Sequence, residues 1–149
     1  MIHPLSDHIV AEARSWIGTP YLHQACITGV GTDCLGLLRG VWQAVIGAEP
    51  ETPPAYTMDW GDSADAPVLL QAARRYLVAK PRRAAAPGDV VLFTMRDGYA
   101  PKHVGLQGAV GDAPTIIHAY SGHAVVESPL SLPWARRIAA RFEFPHKGS

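Results

Sequence analysis

The apolar residues of this chain change their period once, and the change divides the chain in two. In the first half they recur every three to four positions. From Pro87-Gly88-Asp89 onward they alternate or run continuously. The first pattern turns one stripe of a helix toward a core, and the second turns residues to the two sides of a sheet. Helices followed by a strand meander place the fold in the α+β class, with helices laid on an antiparallel sheet.

Ser6 can cap a first helix whose apolar face is Ile9, Val10, Ala13, Trp16 and Ile17, with Gly18 and Pro20 as its stop. Residues 21–31 read as a glycine-punctuated loop. A second helix is expected over 35–46, with Leu38, Val41, Trp42 and Val45 as its stripe, Thr32 or Asp33 as cap and Gly47 as terminator. Gly36 and Gly40 fall on one side of that helix, where another element is expected to approach its backbone closely. A further helix is expected over 66–79. Strands are expected over 90–95, 103–110, 115–120 and 123–128. Residues 134–140 allow a turn of helix and 141–144 alternate like a strand. The chain reads as a single domain over 1–149, with 49–80 as an insertion carrying one helix. Tyr56, Met58 and Trp60 are the insertion's apolar anchors among its prolines.

Composition narrows the function classes. Thirteen basic and thirteen acidic residues balance, and no basic run marks a nucleic-acid binder. No stretch approaches the roughly 20 apolar residues of a membrane span, and the first residues lack the basic and apolar regions of a secretory signal. Two cysteines, Cys26 and Cys34, make no disulfide framework. The expectation is synthesis in the cytoplasm without a signal peptide.

The chemistry concentrates in Thr32-Asp33-Cys34-Leu35-Gly36, which sets a cysteine at the start of a helix. The positive end of the helix dipole favours a thiolate there and lowers the thiol pKa. The segment alone leaves two readings open, a nucleophile or a small buried hydrophobe. A nucleophile needs a base, and the base an orienting group. His103 and His118 stand inside expected strands, and strand parity puts both on one side of the sheet. A turn over 111–114 would set Gln107 opposite His118 and leave His103 about 13 Å away along the strand. Contact therefore requires a different register or a bulge. Cys34, His103 and His118 also suit zinc by ligand type, although no closely spaced pair organises them.

Five segments in order carry a resemblance. They are Trp16-Ile17-Gly18-Thr19-Pro20-Tyr21, Asp33-Cys34-Leu35-Gly36-Leu37, Pro87-Gly88-Asp89-Val90-Val91-Leu92-Phe93, His103-Val104-Gly105-Leu106 and Ile116-Ile117-His118-Ala119. The chain resembles the NlpC-type family of papain-like cysteine peptidases, which cut bacterial cell-wall peptides. The resemblance implies a papain-like NlpC-type fold with Cys34 as nucleophile, His103 as general base and His118 as the polar residue orienting the base. It implies that the Tyr21 hydroxyl helps stabilise the oxyanion and that Asp33 binds the free amino end of the peptidoglycan stem peptide. No cofactor and no metal enter that chemistry.

Two departures stand out: Leu35 replaces the usual serine, and Leu22-His23-Gln24-Ala25 replaces a tryptophan and paired glycines. The Asp-Cys-Leu-Gly-Leu variant, with Gly47-Ala48-Glu49-Pro50-Glu51, Pro53-Pro54 and Asp59-Trp60 downstream, is similar to a subgroup found in tailed phages and gene transfer agents. That likeness implies a virion component with tail or hub proteins as partners, carried by a phage-like particle to the cell wall or periplasm. The rival readings are a non-catalytic structural tail component, and an amidase or acyltransferase using the same Cys-His dyad.

Overall fold

The computed structural model describes residues 4–50, 68–95, 98, 100–120 and 122–145. Tyr56, Met58 and Trp60, with most of the insertion, lie outside them.

Among the described residues the order is α1 (Pro4–Ser15), β1 (Cys26–Ile27), β2 (Gly31–Thr32), α2 (Cys34–Val45), α3 (Val68–Tyr76), β3 (Val78–Lys80), β4 (Val90–Phe93), β5 (His103–Gln107), β6 (Thr115–His118), β7 (Val126–Pro129), α4 (Leu132–Ala135) and β8 (Ile138–Glu143). Six strands form one sheet in the order β3-β8-β4-β5-β6-β7, and every neighbouring pair in it is antiparallel. This is the expected α+β arrangement. The β1–β2 hairpin stands apart and leads into α2.

The two sides of the sheet divide by parity. Val90, Leu92, Val104, Leu106, Ile117 and Phe142 join the main core with Ile9, Ala13, Trp16, Leu37, Val41 and Val45 of the helical layer. Val91, Phe93 and Ile116 face the other way, toward Met95, Leu130, Trp134 and Ile138. β4 is buried along its whole length, as a central strand covered on both sides must be.

Several boundaries differ from expectation. α1 starts at Pro4 rather than after Ser6, because proline's fixed φ suits a first helical position. Ile17 falls beyond the helix and is exposed. The expected helix over 66–79 stops at Tyr76, and Val78, Ala79 and Lys80 pair with Glu143, Phe142 and Arg141 as an edge strand. β8 is longer than expected, and the short helix α4 precedes residue 136 rather than filling 134–140. The close approach to α2 occurs at both glycines. A Cβ at Gly40 would collide with the Trp16 indole, and one at Gly36 with the Ala25 carbonyl and Thr32 Oγ1. Bare backbone at these two turns lets the Trp16 ring and the 22–32 loop close on the helix that begins with Cys34.

Candidate functional site

Cys34 is the first residue of α2, and Asp33 rather than Thr32 caps the helix. The Asp33 backbone is extended and its Oδ1 accepts from Gly36 N–H at 2.7 Å. Its Oδ2 accepts from Gln24 N–H, also at 2.7 Å. Asp33 is 2% exposed. The carboxylate thus caps the helix, one of the two caps the sequence offered, and also clasps the loop before it, which the sequence did not announce. His23 Nδ1 lies 3.8 Å from the same Oδ2. Gln24 takes φ +64, left-handed backbone that a non-glycine residue adopts at a cost of about 1 kcal/mol.

Tyr21 is held beside this turn by the backbone. It bridges to Thr32, flanked by Leu22 N–H to Thr32 O and Thr32 N–H to Pro20 O, both 3.0 Å. The phenol and Cys34 interact electrostatically, and burial, with the Cys34 and Asp33 charges, pushes the Tyr21 hydroxyl up to about 12. On the other side of Cys34, the Val104 N–H donates to the sulfur. Val104 is the chain neighbour of His103, so the helix start abuts the beginning of β5.

His103 and His118 meet directly: His103 Nε2 and His118 Nδ1 are 2.8 Å apart. Parity correctly puts them on one side of the sheet, but the register differs from the simple turn. Leu106 pairs with Ile117 and Gln107 with Ile116, rather than Gln107 with His118. The cause is a longer hairpin loop. Thr115 is already paired across to Gly108 and Ala109, and the Gln107 amide donates to the carbonyls of Ala109 and Thr115 at 2.8 and 3.1 Å. A two-residue shift makes the histidines diagonal neighbours, a separation that long side chains bridge. Gly105 lies between them. A Cβ there would stand 2.8 Å from Ile116 Cγ1 and 3.2 Å from His118 Cβ, so the absence of a side chain leaves space for the imidazoles to meet.

Aromatic rings enclose the pair. Trp134 lies 5.5 Å from His103, 5.2 Å from His118, 5.6 Å from Tyr120 and 5.2 Å from Phe93 between ring centroids. His103 is 6% and His118 3% exposed. This enclosure sets the electrostatics. Burial, helped by His118, pushes His103 down to about 3, and burial pushes His118 down to about 4. Burial also pushes the Cys34 thiol up to about 12.

Burial thus works against the expected lowering of the thiol pKa. The N–H groups of Cys34, Leu35 and Val104 do favour the thiolate, but they are outweighed by desolvation, and the Asp33 charge adds to the rise. Burial therefore favours the uncharged form of the thiol and of both imidazoles.

The structure thus pairs His103 with His118 at one end of the sheet and sets Tyr21, Asp33 and Cys34 around one helix start, with Val104, next in the chain to His103, touching Cys34. Sequence reasoning missed Trp134, Tyr120 and the spacing role of Gly105. A lone tryptophan in a basic segment just past the last histidine strand was the available signal for Trp134. Cys26 donates from its thiol to the Gly36 carbonyl at 3.2 Å and serves α2 from outside. Among the described residues, no three His, Cys, Asp or Glu side chains are grouped to hold a metal ion.

A sequence profile of the NlpC/P60 family matches residues 18–141. Among solved structures, the chain is similar to a protein of the NLP/P60 family from Staphylococcus aureus, described as similar to lipoprotein, at 19% identity and a TM-score of 0.65, covering 99% of this chain and 43% of that one. An NlpC/P60 family protein from Bacillus cereus gives 22% identity and 0.66, covering 96% of this chain and 41% of that one. The NlpC/p60 domain of the peptidoglycan hydrolase SagA gives 23% and 0.61, covering 93% of this chain and 98% of that domain. The chain spans less than half the length of the first two. No curated protein matches.

Proposed function

The chain belongs to the NlpC/P60 family, and from that premise we propose that it is a cysteine peptidase hydrolysing amide bonds in peptidoglycan stem peptides. The observation that carries the reading is the 2.8 Å His103–His118 pair, and it is supported by the contact of the helix-start cysteine with Val104, the residue after His103. Because Nε2 of His103 is committed to His118, Nδ1 is the nitrogen left for the thiol.

Attack begins from neutral groups. The Cys34 proton passes to His103 Nδ1 as the sulfur adds to the amide carbonyl. The imidazolium forms together with the oxyanion of the tetrahedral intermediate, so neither charge stands alone in the site. The Cys34 N–H and the Tyr21 hydroxyl, still protonated with its pKa near 12, donate to the oxyanion. Collapse of the tetrahedral intermediate breaks the C–N bond, and His103 returns the proton to the leaving amine. Water then hydrolyses the thioester, with His103 as base, and restores the thiol. The resemblance assigns Asp33 to the peptide's free amino end, and its negative charge beside the helix start is what would attract that amine.

Delivery by a phage-like tail or gene transfer agent is part of the same proposal, supported by Asp33-Cys34-Leu35-Gly36-Leu37 and the proline-rich residues downstream. In that setting the protein is a virion component acting on the wall of the recipient cell. Incubation with purified peptidoglycan, followed by mass spectrometry of the new ends, tests the chemistry. New amine and carboxyl ends from the wild type, and none from a folded Cys34→Ala, are expected. Unchanged peptidoglycan from both overturns the hydrolase reading.

A further inference from the structure

One side-chain contact next to the imidazole pair has no part in the scheme above. His118 Nε2 lies 3.3 Å from Ser128 Oγ. The sheet register explains the encounter. His118 pairs with Val126 and Ile116 with Ser128, so Ser128 is the diagonal neighbour of His118 on the side of the sheet that carries His103. His103, His118 and Ser128 thus form an oblique row across β5, β6 and β7.

An imidazole in a packed site can turn over about its Cβ–Cγ bond with little change of shape. The turn replaces Nδ1 by Cδ2 and Nε2 by Cε1. Phe93, Tyr120 and Trp134 pack around the histidine pair, but contacts of that kind do not distinguish a ring nitrogen from a ring carbon. Hydrogen bonds do.

We propose that Ser128 is a positioning residue for His118, holding the ring in the one orientation that presents Nδ1 to His103. The proton inventory fits. His103 accepts from the thiol at Nδ1, so as a neutral ring it carries its proton on Nε2 and donates it to His118 Nδ1. Neutral His118 then carries its own proton on Nε2, and the Ser128 oxygen is the acceptor. The row is a one-way chain of donors ending on a hydroxyl. Ser128 acts through His118 and touches no substrate.

The inference rests on the proposed roles of Cys34 and His103, so its test needs a readout that does not depend on turnover. Nitrogen-15 spectra of the histidine rings supply one. In the wild type, His118 should show a protonated Nε2 and an acceptor Nδ1. In Ser128→Ala the turned ring loses its bond to His103, so its proton should exchange between tautomers and average the two nitrogens, while the remaining spectrum stays that of a folded chain. With soluble stem-peptide fragments as substrate, Ser128→Ala should lower kcat about tenfold at unchanged KM, and Ser128→Thr should recover most of it.

A His118→Asn background separates positioning from general packing. An asparagine amide is too short to reach Ser128, so Ser128→Ala should cost nothing further there. An unmoved His118 spectrum, full kcat in Ser128→Ala, or an equal loss in the His118→Asn background each overturns the proposal. Tautomer averaging in a protein that cleaves no stem peptide would sustain the positioning role and sink the hydrolase reading instead.

Discussion

At the scale of single residues, the balance at Cys34 decides how the site is primed. Three N–H groups favour the thiolate, and burial with the Asp33 charge opposes them and wins. A raised thiol pKa means the reactive form is scarce at neutral pH and grows tenfold for each pH unit until that pKa is reached. His103, pushed down to about 3, brings no positive charge to offset this at neutral pH. Iodoacetamide alkylation of Cys34 in the ligand-free protein should therefore climb steadily from pH 7 to beyond pH 9 with no plateau near pH 6. His103→Ala should change that profile little, since a neutral ring adds no charge. A flat, fast rate at pH 6 that collapses in His103→Ala would show a preformed ion pair and refute the neutral resting state.

At the scale of elements, α2 is the component most legible in the sequence. Its apolar period, its cap and its terminator were all written in local residue types. Asp33 and Gly47 stand where such groups act, with Gly47 at φ +133 just past the Ile46 cap. Of the stripe Leu38, Val41, Trp42 and Val45, the structure bears out Val41 and Val45 and adds Leu37. Leu37, Val41 and Val45 are deeply buried while Leu38 and Trp42 are only partly so, and Trp16 docks against the bare backbone of Gly40. The His103–His118 pairing was legible by parity but not by register, since hairpin register depends on loop length and on the bonds Thr115 makes. Ser128 and Trp134 were invisible because only pairing across strands brings them to the site.

The double duty of the Asp33 cap yields a prediction at this scale. Asp33→Asn keeps an oxygen for Gly36 N–H and removes the charge, so the Cys34 pKa should fall and the alkylation profile shift to lower pH. Asp33→Ala should shift it likewise and also destabilise the protein by about 1–2 kcal/mol through loss of the cap. An unshifted profile in folded Asp33→Asn would show that the carboxylate does not act on the thiol.

At the scale of the whole molecule, the sheet carries its aromatic and imidazole chemistry at one end and a buried ionic knot at the other. Arg141 is 3% exposed. Its Nη1 donates to Asp89 Oδ2 and to Gln107 Oε1, each at 3.0 Å, and its Nε donates to the Arg82 carbonyl at 2.8 Å. Asp89 also accepts from Lys80 Nζ at 3.0 Å and from Ala86 N–H at 2.9 Å. Three segments thus meet at one carboxylate, edge strand β3, the 81–89 turn and β8, and β5 joins them through the Gln107 side chain on Arg141. The change of period at Pro87-Gly88-Asp89 was plain in the sequence, yet nothing local announced that Asp89 and Arg141 would meet in the interior. Removing one partner of a buried pair strands the other charge, at a cost of about 3–5 kcal/mol. Asp89→Ala should therefore lose that much stability in urea unfolding, whereas Lys80→Ala, whose ammonium sits nearer the edge, should lose much less. The knot lies at the Gln107 end of β5 and His103 begins the same strand, so the folded fraction of Asp89→Ala should keep the His103–His118 hydrogen bond in nitrogen-15 spectra. A loss under 1 kcal/mol would mean the Arg141 charge finds water or another partner when Asp89 is gone. A broken imidazole pair in a still-folded variant would mean the two ends of the sheet are mechanically coupled.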